Sequence, residues 1–597
     1  MKLYDRVEED KWLYNKGKRN EGFKNLIKYI TKDENILLAV HSIKNNKGSK
    51  TPGIDGKNIT DIMNMDKDEL IDEIKMSFKK YNKTPVKRVY IPKANGKERP
   101  LGIPIIKDRI IQQCVLQVLN PIFESKFSKS SHGFRKGRGV ETSLSQLYRM
   151  IQRQNLHYAV RIDIERFYEE VNHRKLRQIM YGKGIKDKKL LKIIDCMLKS
   201  GVVDKGVIYR TDKGLMQGGV LSPLLSNIYL NELDNWIDSQ WKMFKTRQNY
   251  ETSKNKQGEP VRTVKYRKLR ETNLKEMYIV RYADDFIVMC SNYKDAERAK
   301  LGVSKWLKDY LKLEINEDKS RVVNLKKNKV DFIGFDIGTQ YKNNKYKVKS
   351  NVSEGNKNKI VENSKKLLKE VKRKGNKNRV YDAIVKYNAT VIGWHNYFRY
   401  ATHVSKDFGY IRQRNYWYIE TSLRGMQTNP KKGSLVGMTT NYSSKQIKYL
   451  MGIPILPIGE ISTKTPRDAR DNFFEQDKIL DYNDNLLERI NINSNSRGFE
   501  YSENRVQKFI LQNGKCYITN RDLQGDEIHC HHIKPVAKKG DNSIKNLVIL
   551  DNNIHRLLHK KDEEEIKDKL TILNLNKKQI NKFNKLRKEL ELSLINI

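Results

Sequence analysis

The chain has 597 residues, which is too long for one ordinary domain and predicts about three to five. Its formal net charge of +47 exceeds what solubility requires and is typical of a protein that binds a polyanion, although a generally lysine-rich composition stays open as an explanation. The five cysteines without CxxC spacing exclude a disulfide framework and favour a reducing compartment, and neither a membrane-spanning apolar run nor a signal-peptide core is found.

The first part of the chain predicts a turn, a hairpin and a helix, in that order. TPGIDG at 51–56 is a Gly/Pro turn cluster. Residues 86–105 predict two short strands around an Asn95–Gly96 turn, which is a strong hairpin signal. Apolar residues at helical spacing predict a helix over 108–127.

The middle of the chain predicts strands that carry polar turns. Residues 158–164 form a strand-like run, and residues 215–237 predict a glycine turn followed by a long amphipathic helix. The polar, basic stretch at 242–275 is interpreted as an insertion or surface loop. Residues 277–290 are apolar on both sides of a short polar turn, which predicts a hairpin.

The last part of the chain is more basic and less regular. Residues 341–380 hold fourteen Lys or Arg against three Glu, which is interpreted as a linker together with a basic helix. Helical pattern returns at about 380–425, a polar linker is predicted at 491–498, and a compact unit is expected after it.

Two carboxylates are predicted at the tip of the 277–290 hairpin. Asp284 and Asp285 repel each other, so they seldom lie between apolar strands without a cation, although a solvated turn stays the alternative. Asp163 ends a second strand. A carboxylate there, beside the hairpin, is what a two-metal phosphoryl-transfer site needs, with Mg²⁺ ions about 3.5–4 Å apart. Mg²⁺ requires few protein ligands.

A set of motifs in fixed order carries a family resemblance. RPLGIP (99–104), SHGFR (131–135), a DI…FY strand (163–168), QGGVLSP (217–223) and YADD (282–285) follow one another, with a glycine-containing strand downstream. This order resembles reverse transcriptases, and in detail the group II intron-encoded proteins that join reverse transcriptase, maturase and DNA endonuclease. The resemblance covers nearly the whole chain.

The resemblance implies a role for each matching residue of the polymerase. Asp163 and Asp284 would ligate two Mg²⁺ ions, with Asp285 assisting. Lys93 and Arg99 would bind the triphosphate, and Tyr168 would be an aromatic gate under the sugar. Gln217, with Gly218 and Gly219, would lie at the incoming nucleotide. Lys319 would be a basic residue near the catalytic site. Solvated or packed positions stay open for Lys93, Arg99 and Tyr168. Gly334 would support the primer end.

Three positions depart from the family pattern. Met216 stands where the family usually has Pro, Lys136 also replaces a usual Pro, and Gly139 stands where Ser is common. None of them removes a reacting group, so the departures put nucleotide selectivity in doubt and leave the chemistry unchanged.

A second segment of the resemblance concerns RNA binding. TPGIDG matches an N-terminal extension that the family uses to bind RNA and template. VIGWHNYFRYAT at 391–402 resembles the thumb, or maturase, segment, and implies RNA binding by Trp394, His395 and Arg399. The apolar residues of this segment lie at helical spacing, and packing of a thumb helix is their favoured role. The family assigns DNA-target binding to about 430–490.

The C-terminal unit resembles an HNH nuclease. His555 and His559, four apart on a predicted helix, can share a metal ion, and the resemblance implies that His531 completes that site. His532 would be the general base and Asn546 would hold its loop. The divalent ion is expected to be Mg²⁺, with other metals open. A four-cysteine zinc site is not expected, because only two cysteines, at 516 and 530, lie in this unit.

Together these features predict a multidomain α+β protein: a right-hand polymerase with an antiparallel palm sheet and an α-helical thumb, plus a small ββα-metal HNH domain. The predicted domains are an N-terminal extension (1–80), fingers and palm (81–345), a thumb (346–428), a DNA-binding region with linker (429–498) and a nuclease (499–597). The expected location is the bacterial cytoplasm, near the nucleoid, with an organelle open.

The predicted function is that of a group II intron-encoded protein that copies RNA, assists splicing and nicks DNA for intron homing. Its expected partners are structured intron RNA, an RNA template with a DNA primer, and double-stranded DNA, with no membrane; a homodimer stays open. Two alternatives remain: a splicing maturase with a vestigial polymerase, and a defence or retron-type reverse transcriptase. The intact carboxylates disfavour the first, and the histidine-rich C-terminal unit disfavours the second.

Overall fold

The computed structural model describes most of the chain, namely residues 3–44, 46, 48–92, 98–251, 253, 260–373, 377–429, 442, 447–469, 474, 501, 504–505, 508–509, 511–512, 514–523, 527–538, 540–573 and 575–595. Several predictions lie outside the described residues: the Lys93 contact, the Asn95–Gly96 turn, the linker at 491–498 and most of the DNA-binding region at 430–490.

The secondary structure is mixed. The described helices are α1 (Leu3–Lys18), α2 (Leu26–Ile30), α3 (Asp33–Lys44), α4 (Ile59–Met63), α5 (Lys67–Lys79), α6 (Ile106–Glu124), α7 (Val140–Gln152), α8 (Phe167–Glu170), α9 (His173–Gly182), α10 (Lys188–Leu198), α11 (Ser222–Gln240), α12 (Thr263–Arg270), α13 (Tyr293–Trp306), α14 (Glu354–Lys372), α15 (Lys377–Phe398), α16 (Val404–Tyr416), α17 (Asn552–Leu558), α18 (Glu563–Ile572) and α19 (Lys577–Glu589). The described strands are β1 (Val86–Pro92), β2 (Glu98–Ile103), β3 (Tyr158–Ile162), β4 (Val202–Asp204), β5 (Val207–Tyr209), β6 (Met277–Tyr282), β7 (Asp285–Cys290), β8 (Arg321–Asn324), β9 (Val330–Phe332), β10 (Phe335–Lys342), β11 (Lys345–Val352), β12 (Lys448–Leu450), β13 (Ile453–Ile455), β14 (Ile528–His532) and β15 (Leu547–Asp551). None of the described helices combines the length and the apolar character that a membrane crossing requires.

The chain divides into two compact units. The first comprises Met1–Lys126, Arg177–Ser222 and Asp471–Ile597, and the second comprises Phe127–Leu176 and Pro223–Arg470. The five predicted domains are a finer division, which stays a prediction.

The first unit is built on α6 and a four-stranded sheet. The predicted helix is present over Ile106–Glu124, and its core face holds Ile110, Cys114 and Val118 at helical spacing, all fully buried. The sheet has the order β2-β1-β4-β5, in which β1 and β2 form the predicted antiparallel hairpin and β4 adds in parallel to β1.

A buried arginine fixes the TPGIDG segment to the start of α6. Arg109 donates hydrogen bonds to the carbonyl oxygens of Pro104, Gly48 and Thr51. Two of these carbonyls, those of Gly48 and Thr51, belong to a loop that has no secondary structure of its own, and the guanidinium orders it. The segment is therefore part of the scaffold of the first unit, and its contact with RNA stays a prediction.

The second unit is built on an antiparallel sheet of order β6-β7-β3-β8. Strands β6 and β7 form the predicted 277–290 hairpin, and β3 is central because it pairs with both β7 and β8. Its core residues include Ile279, Val288 and Val160, which are fully buried and apolar. The centre of this sheet is apolar, and its charged side chains lie toward the ends of its strands.

A second sheet and three long helices complete this unit. The β9–β10–β11 sheet is followed by α14, α15 and α16, whose apolar faces share one core with the β6-β7-β3-β8 sheet. The segment 341–380, interpreted as a linker with a basic helix, contains the basic helix α14, but Lys345–Val352 is strand β11 and the chain enters α14 directly after it, so no linker lies at that point. The prediction of a surface loop at 242–275 was also too simple: it contains helix α12, and Lys265 is buried in an ion pair with Glu251.

The C-terminal segment has its own small core. Strands β14 and β15 pair antiparallel, and α17 follows β15 directly with Asp551 as its N-cap. Apolar residues from these elements and from α18 and α19 pack together. The arrangement is a ββα unit that carries five histidines on β14 and α17 or immediately after it.

Candidate functional site

A two-residue turn presents the adjacent carboxylates. Tyr282 pairs with Asp285 at the end of the β6–β7 ladder, so Ala283 and Asp284 form the tip. Ala283 has a φ of +58°, which primed hairpin turns require and which a residue with a Cβ adopts only at a cost. Asp284 is exposed at the tip, as a group that binds a metal ion from solvent must be.

A fully buried arginine clamps this turn. Arg281 makes a bidentate ion pair with Asp234, and both side chains are 0% exposed. The same guanidinium donates to Asn227 Oδ1 (3.0 Å), Ser131 Oγ (2.8 Å) and the carbonyl oxygen of Ala283 (2.8 Å). If the Arg281 guanidinium moved, the buried charge of Asp234 would be left unpaired. The guanidinium is therefore fixed, and it holds the Ala283 carbonyl in place.

The SHGFR segment backs the same turn. The backbone of Arg281 exchanges hydrogen bonds with Ser130 and His132, and the Gly133 carbonyl accepts from the Asn227 side chain. A Cβ on Gly133 would lie 2.4 Å from the backbone nitrogen of Ala283. Glycine is therefore required there for close approach, which gives this motif a structural reason.

Asp163 lies at the same end of the sheet. Ile162, the last residue of β3, pairs with Phe286. Asp163 follows it and is therefore level with the start of β7. The Asp163 backbone N–H donates to Ser320 Oγ (3.1 Å), and Lys319 Nζ lies 3.2 Å from Asp163 Oδ2. Lys319, the predicted basic residue, therefore forms an ion pair with Asp163, the predicted metal ligand.

The Asp285 side chain makes its contacts within the protein. Its carboxylate accepts a hydrogen bond from the Ile333 N–H (3.1 Å) and lies 3.4 Å from Arg161 Nη1. Burial raises the pKa of Asp285 to about 6, against the lowering effect of Arg161. Among the described residues, Asp163, Asp284 and Asp285 do not form a group whose ligand atoms all lie within 4.8 Å of one another. The sequence-based prediction treated Asp285 as an assisting ligand, whereas in the structure it is bonded within the protein.

Two further predicted residues of the second unit lie close in sequence to these groups. Tyr168 is half-buried in α8, which begins just after Arg166 in the left-handed region, and its ring meets Phe167 edge to face. Gly334 has a φ of +85° in the β9–β10 turn, and its carbonyl accepts hydrogen bonds from Ser353 N–H and Asn356 Nδ2.

The remaining residues that the sequence predicts to bind nucleotide belong to the first unit. Arg99 is exposed near the start of β2. Gly102 N–H donates to the Gln217 carbonyl (2.7 Å), and Gly218 has a φ of +102° at a point where a Cβ would lie 2.8 Å from the Gly102 carbonyl oxygen. The glycine is therefore required by a protein contact, and no approach to a nucleotide is needed to explain it.

The predicted RNA-binding residues on α15 need a correction. His395 is 7% exposed, and its ring nitrogens hydrogen-bond to the Tyr442 hydroxyl and the Ile458 carbonyl. A side chain so placed has no donor or acceptor left for RNA, so the prediction for His395 was wrong. Trp394 is half-buried against the core, whereas Arg399 lies at the C-terminal end of α15 and donates to Asn396.

Three histidines of the ββα unit converge. One ligand nitrogen from each of His531, His555 and His559 lies within 4.8 Å of the others. Nε2 of His531 is buried and has no hydrogen-bond partner among the described residues. Burial, and then the neighbouring imidazoles, lowers the pKa of His531 to about 3, which keeps it in the neutral form that binds metals.

The neighbours of this cluster are ordered by side chains. His532 Nε2 hydrogen-bonds to Asn542 Oδ1 (2.9 Å). Asn546 donates to the carbonyls of Lys534 and Asp541 and accepts from the Lys534 N–H, so it closes the β14–β15 loop. Cys516 Sγ accepts from the Asp551 N–H, and no metal group containing a cysteine is found among the described residues.

Sequence reasoning did not identify the clamp. Arg281 is the only charge within the apolar run MYIVRY, and a charged residue on a buried strand signals a buried counterion. That signal was present. The partners Asp234 and Asn227 were not identifiable, because they are ordinary members of a helical pattern until the fold brings them to β6.

Comparisons with known proteins identify relatives of the chain. Residues 91–337 match the family model described as "Reverse transcriptase (RNA-dependent DNA polymerase)". The chain is 32% identical over 313 residues to Protein YkfC of Escherichia coli (strain K12), which covers 50% of this chain and 78% of that protein. It is 32% identical over 352 residues to the group II intron-encoded protein LtrA of Lactococcus lactis subsp. cremoris, covering 53% of this chain and 57% of that protein. A putative COX1/OXI3 intron 2 protein of Saccharomyces cerevisiae is 29% identical over 340 residues, with coverage of 52% and 38%.

Proposed function

The chain belongs to the family of group II intron-encoded reverse transcriptases, and from this premise we propose that it is an RNA-directed DNA polymerase acting at Asp163 and Asp284. The observation that carries the proposal is the position of both carboxylates at one end of the antiparallel sheet, with the turn of Asp284 clamped by Arg281. An enzyme that positions reacting oxygens needs its ligands held this rigidly.

The donor set fits a hard divalent cation. Asp163 and Asp284 offer carboxylate oxygens on an exposed edge, which Mg²⁺ prefers together with water and phosphate oxygens. Two Mg²⁺ ions, when bound, would activate the primer 3′-hydroxyl and neutralise the leaving pyrophosphate. Lys319, bonded to Asp163, would release that carboxylate to the metal and remain as a cation near the phosphates.

The family premise assigns nucleotide binding to further residues. Arg99 and Lys93 would hold the triphosphate, with Arg99 supplying paired donors. Gln217 would contact the incoming nucleotide, and Tyr168 would pack under the sugar and exclude a 2′-hydroxyl. Tyr168 is half-buried and not sealed in the core, which supports this role.

The polymerase proposal is tested by deoxynucleotide incorporation on an RNA template with a DNA primer and Mg²⁺. We expect incorporation by the wild-type chain, and we expect Asp284→Ala combined with Asp285→Ala to abolish it. Asp309→Ala, which removes an exposed carboxylate of the same unit, is the control and should retain activity. Folded wild-type protein that binds structured RNA but incorporates nothing would leave a maturase with a vestigial polymerase.

A second activity, DNA nicking, is proposed for the ββα unit. His531, His555 and His559 would hold one divalent ion, for which the unpartnered Nε2 of buried His531 is the supporting observation. His532 would take a proton from the attacking water, with its orientation fixed by Asn542. Asn546 would position the loop without touching the reacting atoms.

The nuclease proposal is tested on supercoiled double-stranded DNA. Asn546→Ala removes three loop hydrogen bonds, so we expect nicking to fall by about tenfold or more, and His559→Ala should abolish it. RNA-templated incorporation should be unchanged in both variants. Nicking at the wild-type rate by His559→Ala would contradict the metal site.

The two activities suit a mobile intron. We propose that the chain binds its structured intron RNA and assists splicing, after which nicking of a DNA target exposes a 3′ end from which the polymerase copies the RNA. The net charge of +47 supports binding of a large polyanion. The splicing and target partners come from the family premise.

A further inference from the structure

The β9–β10 turn contains an unusual backbone conformation. Ile333 and Gly334 form the turn with φ values of +45° and +85°. Glycine adopts such angles readily, whereas a β-branched residue such as isoleucine is disfavoured there by contact between its branched Cβ and the backbone. Such a conformation persists only where the surrounding structure holds it.

Both backbone polar groups of Ile333 are held by side chains from other elements. Its N–H donates to Asp285 Oδ2 at 3.1 Å, and its carbonyl oxygen accepts from the Tyr397 hydroxyl at 3.0 Å. Asp285 belongs to the catalytic hairpin, whereas Tyr397 lies on helix α15. The strained residue is thus bonded to both.

Tyr397 is built to donate this hydrogen bond. Its ring stacks on Phe335 with centroids 5.9 Å apart and an interplanar angle of 17°, and the residue is 39% exposed. Burial of the hydroxyl, with the nearby Tyr282 and Asp285, raises the pKa of Tyr397 to about 12. The hydroxyl therefore stays protonated at any pH at which the chain would work.

We propose that Tyr397 is a positioning residue for DNA synthesis, which keeps Ile333 in its left-handed conformation and so fixes the turn that holds the Asp285 carboxylate. The inference rests on the proposed polymerase function. It gives α15 a role in aligning the catalytic hairpin and the adjoining primer-supporting turn, in addition to its packing in the core. The hydroxyl itself touches no reacting atom.

The first test compares Tyr397→Phe with Tyr410→Phe in the incorporation assay. The first variant keeps the ring stack and loses only the hydroxyl. Tyr410, on α16, is 43% exposed, and its hydroxyl makes no hydrogen bond to a described residue. Loss of one aligning hydrogen bond should lower kcat about three- to tenfold in Tyr397→Phe, with the KM for deoxynucleotide unchanged and the control at wild-type kcat.

A second variant separates positioning from stability. Asparagine adopts the left-handed region more readily than isoleucine, so Ile333→Asn in the Tyr397→Phe background should restore kcat to within about twofold of wild type. If Tyr397→Phe lowered kcat only by destabilising the fold, Ile333→Asn would not restore kcat. Thermal melts of each variant accompany the kinetics.

The outcomes are distinct. An inactive wild-type chain would remove the proposed function and this proposal with it. An active wild type with an unchanged Tyr397→Phe would overturn the positioning role alone. So would a loss of kcat in Tyr397→Phe that Ile333→Asn fails to restore while the protein stays folded.

Discussion

Asp108, in the first turn of α6, is a buried carboxylate that makes the stability of the first unit depend on pH. Burial raises its pKa from 3.8 to about 6, although the Tyr81 hydroxyl donates to it. The folded state therefore binds this proton more tightly than the unfolded state, so stability falls as the pH rises from about 4 to about 6 and remains lower above that window.

We predict that Asp108→Asn stabilises the first unit at neutral pH. The amide can still accept from Tyr81 and carries no charge, so the gain should be about 1–3 kcal/mol at pH 7.5 and close to zero at pH 4. Urea unfolding at the two pH values measures it, with exposed Asp212→Asn of the same unit as the control. A gain of equal size at both pH values would contradict the explanation.

At the residue scale, the sequence identified groups that depend on a local pattern. Asp163 and Asp284 follow apolar strands, and the histidines of α17 have helical spacing, so their positions follow from periodicity. His395 was misinterpreted because its burial depends on Tyr442 and Ile458, which are remote in sequence. No local signal predicts such partners.

At the scale of elements, the position of the β6–β7 hairpin depends on the SHGFR segment that packs behind its turn. Gly133→Ala would place a methyl group 2.4 Å from the Ala283 backbone nitrogen, so the turn that carries Asp284 must shift. We expect RNA-templated incorporation to fall about 100-fold, because a displacement on the order of 1 Å is enough for such a loss.

A matched control for this change lies six residues further along the chain. Gly139 has a φ of 175°, which any residue adopts, and a Cβ there meets no atom within 4 Å. Gly139→Ala should therefore keep wild-type incorporation. If both variants melt like wild type and Gly133→Ala remains fully active, the close packing described for this turn is incorrect.

The elements that the sequence predicted correctly are those with an apolar signal. Strands β3, β6 and β7 and helix α6 were found for this reason. Strand β11 was missed because its sequence KYKVKSNV alternates lysine on the exposed side with half-buried or buried residues, and the lysines dominate its composition. Composition therefore indicated a linker where alternation would have indicated a strand.

For the whole molecule, charge gives the most direct prediction. A net charge of +47 should make RNA binding depend steeply on salt, because each phosphate neutralised releases a counterion. For about 6–10 phosphate contacts, affinity should fall by about 10³ or more between 50 and 200 mM salt. Filter binding of structured RNA at constant Mg²⁺ measures the slope, and an affinity that hardly changes with salt would contradict electrostatic binding.

The central position of β3 has a consequence for how the chain is made. Tyr158–Ile162 leaves the ribosome well before its two neighbours, Asp285–Cys290 and Arg321–Asn324, have been synthesised. An apolar strand with both edges open is prone to pair with another chain. Expression should therefore benefit from slow synthesis at low temperature and from chaperones that shield nascent strands, because the yield of soluble protein is decided during that interval.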